Sequence, residues 1–154
     1  MKKACFPGSF DPFTKGHEDI VRRAFSLFDT IVIAVGHNTS KQPLFSLESR
    51  LAHICSLFEE DKNVEVTTYS ELTTDFCQRI GCSHLLRGLR DGKDFNYEQP
   101  IALMNRTMSG IETVFLLPDP ALLAINSTIV REIYKNGGEI DAFVTNVEQL
   151  VKIA

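Results

Sequence analysis

The segment P-G-S-F-D-P-F-T-K-G-H, from Pro7 to His17, constrains the fold more than any other part of the chain. It follows a short apolar strand, Lys3 to Phe6. It precedes an amphipathic run in which Ile20, Val21, Ala24, Phe25 and Phe28 are spaced to line one helix face. Prolines and glycines in a strand-to-helix turn hold the backbone to a tight path. A helix that opens with Gly16 and His17 turns free backbone N–H groups, and the positive end of its dipole, toward whatever lies above the strand. That arrangement suits an anion, most naturally a phosphate. Ser9 and His17 flank it with a hydroxyl and an imidazole. The bland alternative is a Gly/Pro connector whose histidine merely caps the helix.

Periodicity then switches repeatedly between strand and helix. Thr30 to Gly36 is a continuous β-branched run, as expected of a strand covered on both faces. A polar loop, His37 to Phe45, follows, and Ser46 precedes a helix over Leu47 to Phe58. Asn63 to Thr68 alternates as a strand, and Leu72 to Ile80 reads as a short helix stopped by Gly81. His84 to Leu86 is a short strand, Asp94 to Met108 a longer helix, and Thr113 to Leu117 a buried strand. Asn126 or Ser127 caps a helix ending at Asn136, before Gly137-Gly138, and Val147 to Ile153 forms a last helical turn. Five strands, each followed by a helix, predict an α/β fold: a five-stranded parallel sheet with helices on both faces, in a single domain over residues 1–154. Ligands of such sheets sit beyond the carboxyl ends of the strands. Here those ends are Pro7–His17, Gly36–Phe45, Tyr69–Thr74, Arg87–Lys93 and Pro118–Ser127.

A net charge of −4 argues against nucleic-acid or membrane-surface binding driven by bulk charge. Any affinity for anions has to come from local basic clusters. No apolar run reaches the length of a membrane span and the N-terminus lacks a signal-peptide core, so cytoplasmic residence is expected. Cys5, Cys55, Cys77 and Cys82 form no C-x-x-C pair and read as reduced, mostly buried thiols.

Two constellations on the ligand edge carry chemistry. His17, Lys41, Arg87 and Arg90 come from three loops, and Gly88 lets its loop turn both guanidinium groups to one side. Two planar forks and a lysine suit several phosphate oxygens. The stretch Ile125-Asn126-Ser127-Thr128-Ile129-Val130-Arg131 sets hydroxyls at a second helix start. Alone it is an ordinary N-cap, but beside the first turn it lets a polyphosphate bridge two helix N-termini. On the longer helix, Asp94, Tyr97 and Glu98 offer a carboxylate for a ribose or an ordered water, or else a solvated or subunit-contacting face. The chain lacks a P-loop, a G-x-G-x-x-G turn and a G-x-S-x-G elbow.

At these residues the sequence resembles a known family. P-G-S-F-D-P-F-T-K-G-H is similar to the [ST]-F-D-P-x-T-x-G-H signature of the nucleotidyltransferase superfamily. Lys41-Gln42-Pro43, L-R-G-L-R at Leu86 to Arg90, D-F-N-Y-E at Asp94 to Glu98 and M-N-R at Met104 to Arg106 resemble bacterial phosphopantetheine adenylyltransferases. The resemblance implies a Rossmann-like nucleotidyltransferase fold. It also implies transfer of the adenylyl group of ATP to 4′-phosphopantetheine, giving dephospho-coenzyme A and pyrophosphate, with Mg2+. Carried over by residue, it places Ser9, Phe10 and His17 on the ATP phosphates and Gly88, Leu89, Arg90 and Glu98 on the nucleotide. Leu123, Ala124, Ile125, Asn126, Ser127, Thr128 and Ile129 would cover the ATP, and Ser9, Lys41, Thr73 and Arg87 would hold phosphopantetheine. His17, Lys41 and Arg90 would act in catalysis. The family implies a homohexamer inhibited by coenzyme A at the active site.

Asn126 stands where the family usually has serine, no aromatic residue precedes that motif, and Ser9 replaces a common threonine. The competing readings are a related nucleotidyltransferase with another phosphorylated acceptor, and a non-catalytic nucleotide sensor. The acceptor phosphate already carries the attacking oxygen, so positioning and charge neutralisation matter more than a protein nucleophile.

Overall fold

The computed structural model describes residues 1–37 and 42–150. Its strands are β1 (Lys3–Gly8), β2 (Thr30–Gly36), β3 (Val64–Tyr69), β4 (His84–Gly88) and β5 (Glu112–Leu116). They form one parallel sheet in the order β3-β2-β1-β4-β5. The helices are α1 (Lys15–Ala24), α2 (Leu47–Leu57), α3 (Thr73–Arg79), α4 (Gly92–Ser109) and α5 (Ser127–Lys135). Short 3₁₀ turns occupy Pro120–Leu122 and Val147–Gln149; the second is shorter than the expected helical turn, because Leu150 is already extended, and residues 151–153 lie outside the described residues.

Side chains alternate along each strand, so the sheet builds two cores. On one face Ala4, Phe6, Ile31, Ile33, Val35 and Leu86 meet Ile20, Val21 and Ala24 of α1 and Ile54 of α2. On the other, Cys5, Val32, Ala34 and Leu85 meet Phe76 and Cys77 of α3. A third cluster ties Phe45 and Val130 of α5 to Ile140 and Val144 near the C-terminus. Three of the cysteines are buried and Cys55 is exposed; all four are free.

The strand order reverses between β1 and β4, which is where a ligand crevice forms in such sheets. The two strands pair at Ala4–His84 and Cys5–Leu85. Pro7 has no N–H to give the ladder, and its carbonyl accepts instead from the Arg87 side chain at 2.7 Å. The carboxyl ends of β1 and β4 therefore border an open crevice.

Candidate active site

A pocket of about 440 Å³ opens at that crevice. Its floor is the end of β1 (Phe6, Pro7, Gly8) and of β4 (Arg87, Gly88), and its walls come from Ser9, His17, Arg90 and the start of α5. The size and the mixed lining suit a mononucleotide.

The first wall is built by the Pro7–His17 turn. Thr14, not Gly16, precedes the helix, and it forms a capping box with His17. The Thr14 backbone N–H donates to His17 Nδ1 at 3.0 Å, and the His17 N–H donates to Thr14 Oγ1 at 3.4 Å. The Lys15 N–H is taken by the Phe143 carbonyl at 2.8 Å. The expectation of a fully free α1 N-terminus is thus corrected: among its first N–H groups, those of Lys15 and His17 have partners inside the protein.

His17 is both a cap and a wall of the pocket. Phe6, Phe10 and Phe13 surround its ring, with centroids 6.1, 5.1 and 5.2 Å away. That burial, and then the charges of Arg87 and Arg90, push its pKa down to about 4. The imidazole is neutral at pH 7. With Nδ1 accepting from Thr14, the ring proton sits on Nε2, which makes His17 a neutral donor.

Phe10 itself has a buried ring and a backbone φ of 47°, a region that costs a bulky residue about 1–3 kcal/mol. A Cβ on Gly8 would lie 2.8 Å from its ring, so only glycine leaves room there.

Arg87 is held rigidly. Its Nε–H donates to both Glu98 carboxylate oxygens at 3.1 and 3.2 Å, and its Nη2–H donates to Glu98 Oε1. Glu98 is the buried residue of α4, 9% exposed. Arg90 pairs with Asp94 at 3.2 Å, and Asp94 also accepts the Arg90 backbone N–H at 2.9 Å. Both carboxylates on the front of α4 are thus turned to the arginines. Each guanidinium keeps N–H groups beyond those these partners take.

The second helix start differs from the first. Asn126 caps α5, its Oδ1 accepting from Ile129 N–H at 2.9 Å. The Ser127 hydroxyl donates to the Pro12 carbonyl at 2.9 Å, which ties the two turns together. Among the described residues, the Ser127 and Thr128 N–H groups have no hydrogen-bond partner, so this N-terminus is the freer anion site.

Of the residues expected in the site, Ser9, Phe10, His17, Arg87, Gly88, Arg90, Glu98, Ile125, Asn126, Ser127 and Thr128 line the pocket. Leu89, Leu123, Ala124 and Ile129 lie off its wall, and Leu89 is buried. Thr73 also lies off it, at the start of α3, where its hydroxyl is 3.1 Å from that of Tyr69. Lys41 lies outside the described residues. Arg131 lines the pocket without having been given a role from sequence. It donates to the Asp11 carbonyl at 2.8 Å and to Thr128 Oγ1 at 3.3 Å. The only sequence signal for it was its place one helical turn after Ser127.

Residues 5–133 match the cytidylyltransferase-like family. The chain is 47% identical over 144 residues to the phosphopantetheine adenylyltransferase of Flavobacterium psychrophilum, covering 94% of this chain and 95% of that one. It is 42% identical over 144 residues to the enzyme of the same name from Bacteroides thetaiotaomicron, covering 94% and 95% of the two chains. Among solved structures, a bifunctional NMN adenylyltransferase/ADP ribose pyrophosphatase from Francisella tularensis, complexed with AMP and a manganese ion, superposes with a TM-score of 0.69. At 16% identity, covering 97% of this chain and 46% of that one, it shares the fold alone.

Proposed function

The chain belongs to the cytidylyltransferase-like family and, within it, to the phosphopantetheine adenylyltransferases, and from that premise we propose how its residues perform the reaction. The enzyme transfers the adenylyl group of ATP to 4′-phosphopantetheine, giving dephospho-coenzyme A and pyrophosphate in coenzyme A biosynthesis. The observation that carries the residue assignments is the meeting of His17, Arg87, Arg90 and the free α5 N-terminus around one pocket.

An oxygen of the acceptor phosphate attacks the α-phosphorus of ATP. The bond from that phosphorus to the bridging oxygen breaks, and pyrophosphate leaves with the electron pair. Arg87, fixed by Glu98 and Pro7, orients the acceptor phosphate. Lys41 and Thr73 complete the acceptor subsite in this reading, beside Ser9. The neutral Nε2–H of His17 stabilises charge growing on the α-phosphate. Arg90 and the Ser127–Thr128 N–H groups hold the departing pyrophosphate. In this reading Gly88 and Glu98, with Ile125 and Asn126, border the nucleoside, while Leu89, Leu123, Ala124 and Ile129 lie off that wall.

Among the described residues no three His, Cys, Asp or Glu side chains gather into a metal cage. A site lined by arginines and helix N–H groups fits a magnesium ion that arrives on the ATP phosphates, as this ion commonly does. Bound there, Mg2+ would neutralise phosphate charge.

We assign the enzyme to the cytoplasm. Its four free thiols suit a reducing compartment, and no helix among the described residues is long and apolar enough to cross a membrane. Tyr97, Ile101, Met104 and Met108 recur at one-turn spacing on α4 and all are exposed. Such a stripe supports a homo-oligomer, read here as the homohexamer. Coenzyme A contains the acceptor's pantetheine arm and is read as an inhibitor at the same site. Direct displacement is tested with ATP labelled at the α-phosphate. Without acceptor the protein should acquire no label, and a trapped adenylyl-enzyme would refute the reading.

A further inference from the structure

The turn that carries Ser9 is held in shape from outside the pocket. Phe10 has φ 47°, and so unfavourable a backbone persists only where its surroundings over-determine it. Two buried charges supply that constraint. Arg50 of α2, 4% exposed, is not part of the pocket wall. Its Nη1–H donates to the Ser9 carbonyl at 2.5 Å and its Nε–H to the Phe45 carbonyl at 3.1 Å. Asp11, 6% exposed, accepts the N–H groups of Leu44 and Phe45 at 2.8 and 2.9 Å. The guanidinium and the carboxylate therefore clasp the same segment, 44–45, onto both sides of Phe10. A lysine replaces the rigid planar fork, whose Nε–H and Nη1–H point at these two carbonyls, with a point charge on a flexible stem.

We infer that Arg50, together with Asp11, is a positioning residue for adenylyl transfer: it fixes the strained Ser9–Phe10 turn so that the Ser9 hydroxyl addresses the phosphates. It does so without touching a substrate. The inference rests on the reading of Ser9 given above. A clasp that only stabilised the fold would lower the melting temperature and leave turnover per folded site alone.

The test uses the full chain with Arg50→Lys, Asp11→Asn and Ser9→Ala. Folded fraction is read by circular dichroism and thermal melting, and competent sites are counted by ATP titration. Arg50→Lys should lose at least about tenfold in kcat per competent site, with KM for ATP within about threefold of the parent. Combining it with Ser9→Ala should cost less than the product of the two single losses, because one change acts through the other. A kcat for Arg50→Lys within twofold of the parent overturns the inference. If Arg50→Lys does not fold, Asp11→Asn decides by the same split and the same twofold limit. A fall in Ser9→Ala with no fall in the clasp variants defeats the inference and leaves the Ser9 reading standing. An unchanged Ser9→Ala defeats that reading, and with it the inference.

Discussion

His17 spends one ring nitrogen on structure and, in the proposed reaction, uses the other for chemistry. Nδ1 completes the α1 cap, and the phenylalanine rings around it keep the imidazole uncharged. Replacing it with alanine should cut kcat by about 10²–10³, the usual loss for one transition-state donor, as read by pyrophosphate release at saturating substrates. Its ring resonances should stay unshifted in an NMR titration from pH 8 to pH 5; a midpoint near 6.5 would contradict the neutral-donor role. Stability carries the same signature. The unfolded chain binds this proton near 6.5 and the folded chain only near 4, so folding weakens as pH falls between them, by about 3 kcal/mol in all. Melting temperatures measured across that window should drop accordingly, and His53, lowered by burial too, acts in the same direction. For Arg87 the controlling partner is Glu98. Glu98→Gln should raise KM for phosphopantetheine roughly 10–100-fold, the worth of a charged hydrogen bond, as read by initial rates at saturating ATP.

At the scale of elements, local signals were legible and long-range partners were not. Thr30–Gly36 was readable to the residue because an unbroken β-branched run has one good solution, a central strand. Ser46 was readable as a cap, and the α5 cap to within Asn126 or Ser127, because such side chains act within one turn; the structure selects Asn126. The start of α1 was misplaced because its capping box closes with a histidine where glutamate or glutamine is usual. That Phe143 would occupy the Lys15 N–H could not be read, since the two lie far apart in sequence. The same applies to Glu98. The motif pointed it at the nucleotide, but only the fold shows its carboxylate in the fork of Arg87. Gly8 belongs to this scale, because β1 can enter the turn only if Phe10 folds back over it. Gly8→Ala should destabilise the protein by about 1–3 kcal/mol through overpacking, read as a lowered denaturant midpoint with an unchanged slope.

The whole molecule is a scaffold for one edge. The sheet reverses order between β1 and β4, the helices cover both faces, and the C-terminal segment braces α1, α2 and α5 around the pocket. What the single chain leaves uncovered is α4. If the proposed homo-oligomer uses its exposed stripe, Met104→Glu should give a smaller species than the parent in sedimentation velocity, and an unchanged species would contradict that use. The alternation of strands and helices made the fold legible, but the strand order came only with the structure. The central claim, a site that joins ATP to 4′-phosphopantetheine by direct displacement, is tested most directly by pyrophosphate release from ATP and magnesium with different acceptors. Release should require 4′-phosphopantetheine and yield dephospho-coenzyme A in equal amount. Release with ATP alone, or with nicotinamide mononucleotide in place of phosphopantetheine, would contradict it.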